Sequence, residues 1–268
     1  MLSEYVNANG IKIHYHRTGG DKPPMVLAHG FSDNGLCWIT LIPALREDYD
    51  LIMYDARGHG LSDAPETGYS TEDRVADLVG LIHALGLEKP ILMGHSMGAN
   101  TVGWTVAEHP DIARAAILED PGIQRRTQPP APEAQMREMA EKRRAEIIKR
   151  NAMTREQLIE GVRADVHDGW PEEEYEPWAE SKQQLSPNVV QFFGGYARSW
   201  LGDAFVKTKV PVLVLKKDAD EEVKKQDREV GKLLPNGKLI HIDGAGHSIR
   251  RDKPQAVINA VKEFLAKL

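Results

Sequence analysis

The sequence predicts an α/β protein with a mostly parallel sheet that carries helices on both faces. Short apolar runs occupy residues 25–28, 51–54, 91–93 and 115–118. Runs of this length and composition are typical of strands buried on both faces of a parallel sheet. Amphipathic stretches separate them, and the alternation stops after Pro121 and resumes at Val210. We therefore expect a helical cap inserted after the sixth core strand.

The N-terminal elements begin with a hairpin. Asn9-Gly10 is a turn signal between β-like residues 6–9 and 11–16. A helix is predicted over residues 71–85, with Ser70 as N-cap and Asp73 at the third helical position of a capping box. Its apolar residues follow helical spacing.

The C-terminal elements restore the alternation. Residues 211–215 and 238–242 read as strands, and residues 221–234 and 254–268 as helices. Pro254 suits the first turn of the last helix. We expect residues 1–121 and 207–268 to form the core and residues 122–206 the cap.

The cap segment is rich in charge, with a helical stretch over residues 133–149. Its aromatic residues include Trp170, Trp178, Tyr196 and Trp200. Some must pack the cap onto the sheet, and others are candidates to line a pocket.

Composition limits the partners and the compartment. The chain has 268 residues, a net charge of −6 and a pI near 5.9, which argues against nucleic acid or an anionic membrane as a partner. Cys37 is the single cysteine, so no internal disulfide forms. No run approaches the roughly 18 apolar residues of a membrane span, and the first residues lack signal-peptide features. We expect a cytoplasmic protein; its oligomeric state stays open.

Gly94-His95-Ser96-Met97-Gly98 follows a predicted strand and precedes a predicted helix. In that context Gly-x-Ser-x-Gly indicates a nucleophile elbow, a tight turn that presents the serine at a helix N-terminus. The glycines leave room for the close approach of neighbouring chain segments. Ser96 is the predicted nucleophile.

A serine hydroxyl needs a base, and the base needs a carboxylate. His247 is the predicted base because it follows the strand at residues 238–242. Four carboxylates follow predicted strands and keep the order Ser, acid, His: Asp218, Asp220, Glu119 and Asp120. The residues alone do not choose between them.

Several motifs together resemble the α/β-hydrolase superfamily, in the branch of esterases, enol-lactonases and cofactor-free haloperoxidase-like perhydrolases. The motifs are His29-Gly30-Phe31, Asp55-x-Arg57-Gly58-x-Gly60-x-Ser62-Asp63, Gly94-His95-Ser96-Met97-Gly98, Asp218-Ala219-Asp220 and Gly246-His247. The resemblance implies the α/β-hydrolase fold and selects Asp220 as the acid, with Asp120 in reserve. Lys217-Asp218-Ala219-Asp220-Glu221 departs from the family's Gly-x-x-Asp-Pro pattern. The resemblance also places the oxyanion hole at the backbone N–H groups of Phe31 and Met97.

The resemblance implies a serine esterase that cleaves a small-molecule carboxylic ester through an acyl-enzyme. Serine at position 96 argues against dehalogenases and epoxide hydrolases, whose elbow carries aspartate. The alternatives are a carbon–carbon bond or enol-lactone hydrolase on the same triad, and a ligand receptor with slow hydrolysis. No cofactor is implied, and no metal-ligand spacing is present in the sequence.

Overall fold

The computed structural model describes residues 1–125, 131–166, 169–193 and 200–268. Its eight strands are β1 (Leu2–Ala8), β2 (Ile11–Arg17), β3 (Pro24–Ala28), β4 (Asp50–Tyr54), β5 (Ile91–His95), β6 (Ala115–Glu119), β7 (Val212–Lys216) and β8 (Gly237–His241). They form one sheet in the order β1-β2-β4-β3-β5-β6-β7-β8. β2 runs antiparallel to its neighbours β1 and β4. All other neighbouring strands, from β4 through β3 to β8, pair in parallel. This confirms the α/β-hydrolase fold, a mostly parallel sheet.

The helices are α1 (Ile42–Leu45), α2 (Thr71–Ala84), α3 (Met97–Glu108), α4 (Glu133–Asn151), α5 (Arg155–Asp165), α6 (Tyr175–Gln184), α7 (Leu201–Phe205), α8 (Glu221–Gly231), α9 (Ile249–Asp252) and α10 (Pro254–Leu265). Three 3-10 helices in the described residues occupy Gly35–Leu41, Glu172–Glu174 and Pro187–Phe193. The predicted capping box starts α2, since the Ser70 hydroxyl and the Asp73 carboxylate each accept the other residue's backbone N–H.

Side chains alternate between two cores along each central strand. In β3, Val26 and Ala28 pack in the layer that contains α2 and α3. Met25 and Leu27 pack in the opposite layer, beneath Trp38 and α10. Because both faces are covered, the strands read as continuous apolar runs.

The segment between β6 and β7, which we call the insertion (residues 122–206), carries α4 to α7. α7 packs with α3 in the core. The predicted cap residue Tyr196 lies outside the described residues. Among the described residues, no helix combines the length and the apolarity that a membrane crossing requires.

The strand order places the loops that follow β3, β5 and β6 side by side. β3 lies next to β5, and β5 lies next to β6. The chain leaves β3 towards β4 on one side, whereas β5 lies on the other side. Open α/β sheets bind their ligands at such a reversal, beyond the carboxyl ends of the strands.

Candidate active site

Ser96 occupies the sharp turn between β5 and α3. Its backbone angles are φ 50° and ψ −107°, a region that costs a non-glycine residue free energy. A Cβ on Gly94 would collide with the backbone of Gly98, and one on Gly98 with the carbonyl group of Ala28. The motif glycines are therefore needed for the close approach of α3 to the end of β3, as the sequence predicts.

His247 lies between β8 and α9 and bridges Ser96 to a carboxylate. Its Nε2 is 3.0 Å from the Ser96 Oγ, and its Nδ1 is 2.6 Å from an Asp120 carboxylate oxygen. A carboxylate only accepts, so Nδ1 carries the proton and Nε2 is free to accept the Ser96 hydroxyl proton. Ser96, His247 and Asp120 thus form one hydrogen-bonded chain.

Asp120 directly follows β6 and is itself held in place. Its φ is 40°, and its backbone N–H donates to the Leu215 carbonyl over 2.7 Å. The second carboxylate oxygen is 2.6 Å from the Nζ of Lys216, a buried residue at the end of β7. Burial opposes ionisation of Asp120, but the His247 hydrogen bond and the Lys216 ammonium lower the pKa of this carboxyl to about 2. The carboxylate is therefore ionised at neutral pH.

Asp220, the acid that the family resemblance selects, does not lie against His247. It is the N-cap of α8, where its carboxylate accepts the Val223 backbone N–H over 2.9 Å. The neighbouring Asp218 pairs with Lys224 at 2.7 Å. The expectation that Asp220 contacts His247 is corrected: the reserve residue Asp120 makes this contact, because the Asp220 carboxylate is bound to the first turn of α8.

The loop after β3, residues 29–34, is referred to below as the oxyanion loop. The Gly30 carbonyl accepts the His29 Nδ1–H over 2.8 Å and the Asp33 backbone N–H over 3.1 Å. In a trans peptide the N–H points opposite to the C=O, so these bonds turn the Phe31 N–H away from the loop interior. Met97 is the first residue of α3, where N–H groups lack intrahelical partners. Both are suited to hold a developing negative charge.

His95 contacts both the backbone of His247 and the oxyanion loop, a role that the sequence did not predict. Its Nε2–H donates to the His247 backbone carbonyl over 3.0 Å, and its ring is buried. Burial, reinforced by Arg250, lowers the pKa of His95 well below its usual range, so the ring stays neutral. A Cβ on Gly30 would come within 2.5 Å of the His95 Nδ1, so this ring also packs against the oxyanion loop.

The insertion contributes a cleft and aromatic packing. A cleft of about 250 Å³ is lined by Phe31 and Ser32 of the oxyanion loop and by residues of the insertion. Trp170 stacks on Tyr175 and donates its indole N–H to Asp252 over 3.1 Å, so it packs the insertion onto the core. The Trp200 indole N–H donates to the Ile123 carbonyl.

In the part of the chain that the structure describes, no cluster of His, Cys, Asp or Glu is arranged to hold a metal ion.

We expect Asp120→Asn to change the acid sensitivity of the fold. The pKa of Asp120 is lowered from 3.8 to about 2, so its ionisation stabilises the protein above about pH 4 and this contribution is lost as the pH falls towards 2. The difference in free energy of unfolding between wild type and variant should shrink between about pH 6 and about pH 3. Urea titrations followed by tryptophan fluorescence measure it; a constant difference contradicts the assignment.

Comparison with known proteins places this geometry in a family. Residues 25–260 match the Alpha/beta hydrolase family. The chain is 29% identical over 254 residues to the 2-(acetamidomethylene)succinate hydrolase of Mesorhizobium japonicum, covering 93% of this chain and 90% of that protein. It is 28% identical to the N-formylmaleamate deformylase of Pseudomonas putida, with 97% and 95% covered. The crystal structure of E-2-(acetamidomethylene)succinate hydrolase superposes with a TM-score of 0.79 at 23% identity over 99% of each chain, a likeness of fold. The chain belongs to the alpha/beta hydrolase family and is a hydrolase.

Proposed function

We propose that the chain is a serine hydrolase that cleaves a small-molecule carboxylic ester through an acyl-enzyme on Ser96. The observation that carries the proposal is the hydrogen-bonded chain from Ser96 through His247 to Asp120. A nucleophile within reach of a base, with the base oriented by a third group, is the signature of covalent acyl transfer. Ser96 also stands on a strained elbow at the start of α3.

The reaction follows from the roles of these groups. Ser96 Oγ attacks the acyl carbon while His247 Nε2 takes its proton, and Asp120 stabilises the resulting imidazolium. The oxyanion is held by the N–H groups of Phe31 and Met97. Collapse breaks the bond to the leaving alkoxide, which receives the proton from His247. Water, deprotonated by His247, then attacks the acyl-enzyme, and the released Ser96 Oγ recovers the proton.

A second candidate is hydrolysis of the acyl–nitrogen bond of a small acid on the same triad. The two relatives named above are a succinate-derivative hydrolase and a maleamate deformylase. Both names describe substrates built on carboxylic acids. The same attack, collapse and water steps apply, with His247 protonating a leaving nitrogen instead of an oxygen.

The charge of the cleft supports an anionic substrate in either case. Its lining includes Phe31, Ser32, Arg143, Glu146, Arg150 and Lys182. Lys182 is already paired with Asp33, whereas Arg150 is an exposed residue at the end of α4. Within the described ranges its guanidinium has no carboxylate partner. A planar guanidinium matches the two oxygens of a carboxylate, so Arg150 is suited to a substrate acid group.

Ser96→Ala should fold as the wild type does and lose nearly all turnover, because only the Ser96 Oγ forms the acyl-enzyme. Mass spectrometry after treatment with a fluorophosphonate should show one adduct, on Ser96.

Ser3→Ala is the matched control for this variant. The Ser3 Oγ is 2.8 Å from His14 Nε2, and His14 Nδ1 is 2.8 Å from Asp55, so the same three residue types meet across β1, β2 and the end of β4. Ser3 lies on a regular strand, not at a helix N-terminus, so Ser3→Ala should keep full turnover. A phosphonylated Ser3, or turnover retained by Ser96→Ala, contradicts the mechanism.

Asp120→Asn should lower kcat by orders of magnitude with little change in KM, since an amide neither holds the histidine tautomer nor stabilises its charge. The equivalent loss in a serine protease reaches ~10⁴. Asp220→Asn, which keeps a side-chain acceptor at the start of α8, should stay within about threefold of wild-type kcat. Steady-state kinetics on a p-nitrophenyl ester decide this. The reverse pattern would restore Asp220 as the acid.

Substrate charge can be tested with two p-nitrophenyl esters of equal chain length, the butyrate and the half-ester of succinate. Arg150→Gln should raise KM for the succinate half-ester by about fivefold, since an exposed ion pair contributes up to about 1 kcal/mol. It should leave the butyrate unchanged. Lys149→Gln, an exposed neighbour outside the cleft lining, is the control. Equal effects of Arg150→Gln on both esters would remove Arg150 from substrate recognition.

A further inference from the structure

The oxyanion loop contains a backbone conformation that its own sequence does not favour. Ser32 has a φ of 64°, in the left-handed region that a residue with a side chain rarely adopts. It directly follows Phe31, whose N–H is one proposed oxyanion donor. Such conformations persist only where the surroundings hold them.

The group that holds Ser32 comes from the insertion. Lys182, on α6, places its Nζ 2.6 Å from the Ser32 carbonyl oxygen and 3.0 Å from the Ser32 Oγ. The same Nζ lies 3.1 Å from the Asp33 carboxylate and 3.2 Å from the Ser181 Oγ. An ammonium group has three protons, so these contacts use its full donor capacity. Lys182 is a buried side chain whose ammonium is committed to the oxyanion loop.

The charge of Lys182 is balanced where it lies. Asp33 faces Lys182 with one carboxylate oxygen and Arg250 with the other, at 3.1 and 3.0 Å. A buried ion that is paired and fully hydrogen-bonded has one favourable position, because any displacement leaves a charge without compensation. The pair therefore fixes a point on the insertion to a point on the oxyanion loop.

We propose, on the basis of the proposed function, that Lys182 is a positioning residue for the oxyanion hole. Through Lys182 the insertion holds the backbone of Ser32 and so orients the Phe31 N–H. Lys182 touches no reacting atom. It acts on the backbone that follows Phe31, while the His29 and Asp33 hydrogen bonds to the Gly30 carbonyl hold the backbone that precedes it. A side chain of the insertion thus helps to position an oxyanion donor that belongs to the core.

Lys182→Met tests this, with Lys182→Gln as a second variant that keeps one donor for the Ser32 carbonyl but no charge. Loss of one oxyanion donor costs about 10²–10³ in rate, so a displaced donor should lower kcat by about tenfold to a hundredfold. KM should stay within about threefold, and Lys182→Gln should fall between Lys182→Met and wild type. Unchanged kcat in Lys182→Met overturns the proposal.

A trifluoromethyl ketone provides a readout that a purely structural role would not move, because its adduct with Ser96 carries an oxyanion. Its inhibition constant should rise in Lys182→Met by the same factor as kcat/KM falls, while inhibition by the acid product changes little. Equal weakening of both inhibitors overturns the proposal in favour of general damage to the site.

Glu174→Gln is the matched control. Glu174 is equally buried, belongs to the insertion, and ties it to the core through Arg251 at 2.8 Å and through Thr40. Glu174→Gln should lower the melting temperature but leave kcat and ketone binding within about twofold of wild type. A loss equal to that of Lys182→Met would assign both effects to anchoring of the insertion.

If Ser96→Ala stays active, the proposed function itself fails, whereas an inactive Ser96→Ala with a normal Lys182→Met overturns only the role of Lys182.

Discussion

The candidate site depends on a buried cluster of charged side chains, Lys182 and Arg250 with Asp33 and Glu119, which joins four separate segments of the chain. Arg251 contacts this cluster through Asp33 and pairs on its other side with Glu174, which in the described chain forms no ion pair with the four. Burial favours the neutral acid, but Arg251, Lys182 and Arg250 outweigh it and hold the pKa of Asp33 well below its usual range. A cluster of this kind adds little net stability, since desolvation offsets attraction, yet removing one partner costs about 3–5 kcal/mol. Its effect is therefore to fix positions: Asp33 ends the turn that aims Phe31, Glu119 precedes Asp120, and Arg250 follows His247 by three residues.

The sequence predicted those parts of the molecule that local physics determines. Apolar runs predicted six of the strands, and the Asn9-Gly10 turn signal predicted the other two as a hairpin. A serine between two glycines at a strand end identified Ser96 as the turn residue. His247 was found because functional groups gather beyond the carboxyl ends of parallel strands. The charged cluster was not predictable in this way, because Asp33 and Arg250 are separated by 217 residues and meet only once the sheet has formed.

The acid shows where family spacing and local chemistry disagreed. Asp220 precedes Glu221 and Glu222 at the start of an amphipathic helix, and an aspartate there is a strong N-cap signal. That signal was present in the sequence and argued for the role that Asp220 has in the structure. Lys216, which neutralises Asp120, belongs to the strand β7 beside it, and its contact needs the pairing of β6 with β7. Sequence alone therefore left Asp120 open, whereas the sheet register brings its carboxylate between Lys216 and His247.

Comparison of the two Ser-His-Asp arrangements shows what distances alone do not specify. Ser3, His14 and Asp55 meet at distances close to those of Ser96, His247 and Asp120. Ser3, however, lies in relaxed strand backbone, whereas in the described chain three of the five non-glycine residues with positive φ are Ser32, Ser96 and Asp120. Strain is thus concentrated in the loops that converge on Ser96, and their conformations persist because the neighbouring core and the charged cluster hold them. In our proposal the reactive arrangement is the strained one, since there the elbow and the oxyanion loop offer backbone N–H donors to the serine.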